Sequence, residues 1–539
     1  MDMALIDKLK SFKITPDRAF YHPGEVVRLI VSVEASKAMD LDLDVKIYRG
    51  LELIETINRT WNIGVGQNQL YLLWQPDREN PVGYGVDASL SESDGKSDAI
   101  SCQTAFDVLI DWTVFPRYGF VSDFSPSRAN VEETIETLNQ FHLNGLQFYD
   151  WLYRHEMLIP PKAEFVDPLD RPLSLKIIKE LINAAHKYGM KATPYLAVYA
   201  ASIPFWKSHP DWVLYDQDHH PIPFGNEYLG IMNPVGGGEW SEHLLKECDY
   251  VLTQLPFDGL HIDQYGDPKS GYDANGLPVD IPSAFAAFIN AAVQQNPDVP
   301  VVFNAVGNWP IETLAKTPVA FNYIEIWPPK TRYMDVAEIV RNARRLSGQK
   351  PVVIALYLHA INPINNLLAD AMIFSAGGTR IELGENGRLL SDPYFPKHEA
   401  MDTSLSERLR RQLELIIRYE EWISPLIEES DLAPVKGPEG IEHFFRKTEK
   451  GYSLCQVNLG SLQPLHWNEE HPSPEAKRNF TLEIQLEEPI EHIWLVSPDH
   501  ASLSPVPVEF ESISNKVIIK VPSLEIWNVL FFEMKKTKR

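Results

Sequence analysis

Phe257-Asp258-Gly259-Leu260-His261-Ile262-Asp263-Gln264-Tyr265-Gly266 reads as a short buried strand that delivers a carboxylate, Asp263, to its C-terminal end. Successive side chains of a strand point to opposite faces, so His261 and Asp263 share one face and Leu260 and Ile262 the other. Further on, Phe321-Asn322-Tyr323-Ile324-Glu325-Ile326-Trp327 repeats the pattern, with Tyr323, Glu325 and Trp327 opposite Ile324 and Ile326. The apolar faces suit the helix-packed outside of a parallel sheet. Asp263 and Glu325 then point inward and upward, toward one pocket. Two carboxyl groups at the ends of two strands of one parallel barrel are what cleavage of a glycosidic bond needs.

The two strands belong to a longer series. From about residue 115 to 425, short apolar runs occupy 118–123, 145–151, 192–199, 259–264, 301–305, 323–327, 352–357 and 379–383. Amphipathic stretches lie between them, as at 131–141, where Val131, Ile135, Leu138 and Phe141 line one face, and at 175–185, 334–346 and 367–374. Strand–helix alternation repeated eight times is the count of a (β/α)8 TIM barrel. An open doubly wound sheet is the competitor, and it lacks its glycine-rich phosphate loop after the first strand. Before the barrel, residues 14–110 alternate apolar and polar residues between turn signals, which fits an immunoglobulin-like β-sandwich. Strand patterns return from about 432. The expected class is therefore α/β, with domains at 1–112 (β-sandwich), 113–428 (catalytic barrel) and 429–539 (antiparallel β-sandwich). The proline-rich 467–474 reads as a loop of the last domain.

The chain has 539 residues, too many for one core, and a formal net charge of −25. Such a surface repels phosphate backbones, which argues against nucleic acid and leaves a neutral substrate indifferent. Cys102, Cys248 and Cys455 are far apart and match no metal-ligand spacing. No window approaches eighteen consecutive apolar residues, so no membrane span is expected. Residues 1–14 lack the apolar core of a secretory leader. The expected location is cytoplasmic if the chain is complete and secreted if a leader was removed. Oligomeric state is not legible.

Candidate acids at strand ends are Asp123, Asp150, Asp263, Glu325, Glu382 and Glu385. Bond cleavage wants one ionised carboxylate and one protonated carboxyl group. Glu325, between Tyr323 and Trp327, sits in apolar company that would raise its pKa and suit it as the acid. Asp263, beside His261, Gln264 and Tyr265, has polar neighbours that would keep it ionised as the nucleophile. Candidate sugar contacts are Tyr149, Asp150, Tyr195, His261, Gln264, Asn304, Asn308, Trp327 and Glu382. Among the tryptophans, Trp327 and Trp309 abut the catalytic strands and are the preferred stacking planes over Trp151, Trp206 and Trp212. His219-His220 with Asp216 and Asp218 reads as an exposed loop. Asp267, Asp273, Asn275 and Asp280 lack the calcium-loop periodicity and read as an ordinary loop. No metal and no cofactor are expected.

Several ordered segments resemble glycoside hydrolase family 66, the family of dextranases and cycloisomaltooligosaccharide glucanotransferases. Pro116-Arg117-Tyr118-Gly119-Phe120-Val121-Ser122-Asp123-Phe124 is similar to its first barrel strand, and Asn144-Gly145-Leu146-Gln147-Phe148-Tyr149-Asp150-Trp151 to its second. His209-Pro210-Asp211-Trp212 and Ile231-Met232-Asn233-Pro234 resemble its long third loop. Gly377-Gly378-Thr379-Arg380-Ile381-Glu382-Leu383-Gly384-Glu385, followed by Asp392-Pro393-Tyr394-Phe395-Pro396, resembles its eighth strand and the loop after it. The resemblance implies a retaining mechanism on α-1,6-linked glucan (dextran or isomaltooligosaccharides), with Asp263 as nucleophile and Glu325 as general acid and then base. It implies a covalent glucosyl-aspartate released by water or by a sugar hydroxyl. Cyclising members carry an inserted carbohydrate-binding domain for which this barrel has no room, which favours a dextranase-like hydrolase. The alternatives are a cyclising or transferring glucanotransferase, another barrel α-glycosidase such as an α-galactosidase-like exo-enzyme, and a non-catalytic carbohydrate-binding protein on a decayed barrel.

Overall fold

Each of the eight expected runs is a strand in the computed structural model, which describes residues 5–76, 81–93, 98–381, 383–394, 397–423, 434–460, 465–486 and 488–535. They are β1 Tyr118–Val121, β2 Gly145–Phe148, β3 Lys191–Ala197, β4 Leu260–Asp263, β5 Val301–Val306, β6 Asn322–Glu325, β7 Val352–Ala355 and β8 Thr379–Ile381. All pair in parallel with their sequence neighbours. Leu383–Gly384, just past β8, pairs in parallel with β1, Gly384 facing Phe120, so the eleven-stranded sheet curls until its last parallel run meets its first. Two short antiparallel strands, Arg388–Asp392 and Lys397–Glu399, complete it.

Helices Val131–Gln140, Leu175–Lys187, Glu239–Gln254, Ile281–Gln295, Ile311–Leu314, Tyr333–Leu346, Pro363–Ser375 and Thr403–Arg418 follow the eight strands in turn. Their apolar stripes pack against the outward side chains of the strands, Leu260, Ile262 and Ile324 among them, in one continuous core. The opposite face of the strands is polar and aromatic. Tyr118, Thr193, His261 and Tyr323, from β1, β3, β4 and β6, meet there: Tyr118 Oη bonds Thr193 Oγ1 and lies 3.1 Å from His261 Nδ1, and the His261 ring stands edge-on to Tyr323 at 4.6 Å. The alternation read from β4 and β6 is thus the one observed.

Two antiparallel sheets of three and four strands precede β1 and share an apolar core built from alternate residues such as Val27, Leu29, Val31 and Leu41, Leu43, Val45. A five-stranded and a three-stranded sheet follow residue 441 and share another core. The expected boundary at 428/429 lies outside the described residues. Buried Arg117, just before β1, donates to both oxygens of Asp107 (2.6 and 3.0 Å), the last residue of the N-terminal sheets, and to the His142 carbonyl at 2.6 Å. The charge is fully desolvated, so the bidentate geometry and extra acceptor are what make its burial tolerable. The 467–474 loop docks on the loop after β6 and on the helix after β7: Trp467 Nε1 donates to the Lys330 carbonyl at 2.9 Å, and Asn365 Nδ2 donates to the carbonyls of Trp467 and Glu469. Among the described residues no helix is long and apolar enough to cross a membrane.

Candidate active site

The C-terminal ends of β2 to β7 open into a cavity of about 670 Å³, within the usual size range of small-molecule sites. Asp263 closes β4 and Glu325 closes β6, with β5 between them. Asn304 on β5 is the link. Its Nδ2 donates to Asp263 Oδ1 at 2.9 Å and to Glu325 Oε2 at 3.0 Å. Those two oxygens are therefore no farther apart than the two bonds laid end to end, about 6 Å. Asp263 also accepts from Tyr195 Oη (3.1 Å) and from the Gln264 backbone N–H (2.9 Å). Glu325 also accepts from Tyr357 Oη at 2.8 Å. Glu325 is buried, while Asp263 is partly open to the cavity.

Burial raises both carboxyls. It pushes Asp263 up to about 7, with the negative charge of Glu325 adding to the rise, and the three hydrogen bonds to Asp263 oppose it. Glu325 is raised by burial and lowered by its bonds to Asn304, Tyr357 and Trp327. The expectation that adjacent polar residues keep Asp263 ionised needs correcting. His261 turns its ring to Tyr118 and Tyr323, and its burial lowers it to about 3, so it is neutral and gives Asp263 no positive charge. The donors that do oppose the rise come from β3, β5 and the Gln264 backbone.

The structure brings most of the expected contacts together. Tyr149, Asp150, Tyr195, His261, Gln264 and Asn304 all line the cavity. Tyr149 and Tyr195 stack at 6.1 Å, and burial pushes Asp150 up to about 6. Gln264 has its side chain committed to the loop, donating to the Trp309 carbonyl (3.1 Å) and accepting from Gly266 N (2.7 Å). Asn304 spends its NH2 on the two acids rather than on open space. Asn308 does not line the cavity. It sits at φ 63° in the turn after β5, its N–H on the Ala305 carbonyl. Trp327 does not line it either: its ring meets those of Tyr357 and Tyr394 at 5.6 and 6.3 Å, and its side chain bonds Glu325. Trp309 packs on Phe285, and buried Trp151 donates to the Tyr195 carbonyl. Glu382 lies outside the described residues.

Two further strand-end acids, Glu385 and Asp123, are structural. Glu385 accepts from the backbone N–H groups of Ser122 and Asp123 and from Arg128 Nη2 at 2.9 Å, tying the segment after β8 to the end of β1. Asp123 accepts from Ser125 N in a turn. Asp216, Asp218 and His220 do come within 4.8 Å of one another. Asp216 Oδ1, however, accepts the N–H groups of Asp218 and His220, which is how an exposed turn is built. Asp273 caps its own loop, and Asp280 caps the helix Ile281–Gln295. Sequence reading did not name Tyr199, Tyr265, Tyr357, Tyr394, Phe224 and Tyr228 as contacts, and they make the cavity wall strongly aromatic. Tyr357 was within reach, because it follows β7 on the same parity as Val353 and Ala355. Tyr199 and Tyr265 were too, because they continue β3 and β4 on the parity of Tyr195 and Asp263, whereas Phe224, Tyr228 and Tyr394 come from segments whose path the sequence does not state.

The model of one family, Glycosyl hydrolase family 66, matches residues 16–531. This chain belongs to that family. Family 66 membership makes it a glycoside hydrolase enzyme, and the acids found at its strand ends agree with that. A cycloisomaltooligosaccharide glucanotransferase of Niallia circulans is 23% identical over 97% of this chain and 72% of its own length. A dextranase of Streptococcus salivarius is 23% identical over 84% of this chain and 68% of its own. The fold matches the crystal structure of a Paenibacillus sp. cycloisomaltooligosaccharide glucanotransferase complexed with cycloisomaltoheptaose, with a TM-score of 0.88, 21% identity, and coverage of 96% of this chain and 99% of that one.

Proposed function

We propose that this chain is a retaining glycoside hydrolase that cleaves α-1,6-glucosidic linkages of dextran or isomaltooligosaccharides. The observation that carries the proposal is the single nitrogen, Asn304 Nδ2, bonded to both acids. Retaining pairs stand roughly 5–5.5 Å apart and inverting pairs roughly 6.5–9.5 Å. An upper limit of about 6 Å between the bridged oxygens favours retention over inversion. Asp263 is the nucleophile: it accepts three donors and is the more open of the two. Glu325, the more buried, is the general acid, its carboxyl raised by burial. Asp263 attacks the anomeric carbon as Glu325 gives its proton to the leaving oxygen, forming a glucosyl-aspartate. Glu325 then takes a proton from water, whose oxygen displaces Asp263 and restores both groups.

The same reading treats the curled sheet as a (β/α)8 barrel, with domains at 1–112, 113–428 and 429–539. The substrate class follows the printed activities of the relatives. A wall of neutral tyrosines suits a neutral sugar. Hydrolysis is preferred to cyclising transfer because no connection between consecutive strands is long enough to hold a separate inserted domain of its own. The largest addition is the three-stranded sheet after β3. The test is incubation with dextran, starch and an aryl α-galactoside. Reducing sugar is expected from dextran only, with linear products. Cyclic products would favour the transferase reading, and activity on the galactoside alone would overturn the proposal.

A further inference from the structure

A cavity of about 460 Å³ lies away from the strand ends, beside the turn at Phe141 and His142 that leads into β2. It shares no lining residue with the active-site cavity. Three parts of the chain wall it. The strands Leu9–Pro16 and Ile100–Asp107 come from the N-terminal sheets, the helices Val131–Gln140 and Thr403–Arg418 from the layer outside the barrel strands, and Ala501 and Leu503 from a loop of the C-terminal sheets. Its volume is within the range of small-molecule sites, and the proposed reaction makes no use of it.

The charges on its wall divide into paired and open ones. Arg410 Nη1 donates to Glu414 Oε1 at 2.7 Å, so those two answer each other. Arg411 is different. It is half-buried, and its Nε donates to the Pro498 carbonyl at 3.1 Å, while Nη1 and Nη2 have no partner among the described residues. Neither of these two nitrogens is sealed from solvent. Burial lowers the Arg411 pKa, as it does for a partly desolvated cation short of a counter-ion. With Nε occupied, the guanidinium presents its Nη1–Nη2 end, a pair of donors that can grip two oxygens of one phosphate or carboxylate. Lys13 stands on the same wall, exposed and in no ion pair among the described residues. Glu407, the one acid there without a partner, attracts Arg411 but forms no ion pair with it. Thr15, Ser101, Gln140 and Ser406 add hydroxyl and amide groups, which suit the hydroxyls of a ligand.

We propose that this junction cavity binds a small hydroxylated oxyanion, a sugar phosphate or a sugar acid, with the Nη pair of Arg411 on the anionic group, Lys13 beside it, and the hydroxyl and amide side chains around the rest. A bare phosphate would leave most of the space empty. Because the ligand touches all three parts of the chain, its binding stabilises their assembly. The proposal does not depend on the reading of the active site.

The test is isothermal titration calorimetry and thermal unfolding of the full chain at fixed ionic strength, with glucose 6-phosphate, gluconate, glucose and inorganic phosphate as probes. Glucose 6-phosphate or gluconate is expected to bind saturably and to raise the melting temperature, and glucose to do neither. Arg411→Gln should weaken that binding at least about tenfold, the effect of losing a charge-assisted pair of bonds. It also loses the contact with Pro498, so a second variant leaves Arg411 intact. Thr403 is exposed on the cavity wall, so Thr403→Trp narrows the space without entering a core, and it should weaken binding by a similar factor. The melting curve of each unliganded variant shows that it is folded. Binding unchanged in either variant places the ligand elsewhere and overturns the proposal. So does a wild type that binds neither oxyanion, one that binds glucose as tightly, or one that binds inorganic phosphate alone, which marks an adventitious ion only.

Discussion

Asp263 and Glu325 share a proton donor: one amide nitrogen, on the strand between theirs, bonds an oxygen of each. This fixes the gap between the acids more firmly than either strand could. A donor bonded to both also favours their charged forms against the burial that opposes them.

Asn304→Ala should therefore lower kcat/KM by about a hundredfold, ~2.7 kcal/mol of transition-state stabilisation. Loss of a bond to the ionised form raises a carboxyl, so the acid limb of the pH profile should move up. Kinetics from pH 4 to 9 check both. A loss of activity with an unmoved limb would mean that Asn304 only holds the strands.

The pH dependence of stability has a defined sign. The Asp263 carboxyl is raised in the folded chain to about 7, against an unfolded value near 3.9. Between those values the folded state binds more protons than the unfolded one, so this site's contribution to stability falls as pH rises through the window. Asp263→Asn removes that penalty. Its melting temperature should exceed that of the wild type at pH 8, with the gap closing toward pH 4. A pH-independent difference would contradict the account.

Glu385→Ala should act on stability rather than chemistry. It breaks a buried ion pair with Arg128 and strips two backbone N–H groups of their acceptor. Losses of this kind cost about 3–5 kcal/mol. Chemical denaturation should show the loss, while the pH profile of the remaining folded enzyme keeps its shape.

Azide separates the two catalytic roles. Asp263→Ala and Glu325→Gln should each lose at least about a hundredfold in turnover. With Asp263→Ala, azide enters from the face the carboxylate vacated and gives a glucosyl azide of inverted configuration. With Glu325→Gln, azide opens the glucosyl-aspartate and gives the retained azide. Chromatography against both standards checks this. The same anomer from both variants would contradict the assignment.

Much of this arrangement was legible because period-two alternation is local. Leu260 and Ile262 against His261 and Asp263 fix a face without knowledge of any other strand. Eight such runs then fix the sheet. What alternation cannot give is which neighbour a polar group will choose. Asn304 reads as a sugar ligand until β5 is seen lying between the acids. Gln264 likewise looks free until the loop carrying Trp309 reaches it. Glu385 resembles a catalytic acid because it follows a strand, yet the curl of the sheet brings it to β1 and Arg128. Tyr228 and Tyr394 could not be read in the same way, because they come from distant loops that overlay the strand ends.

The most direct measurement is the configuration of the first product. Proton NMR of isomaltotriose hydrolysis, recorded before mutarotation, should show the newly formed reducing end as the α-anomer. A β-anomer appearing first would mean that water attacks directly, and that Asp263 and Glu325 do not form the close pair on which this account depends.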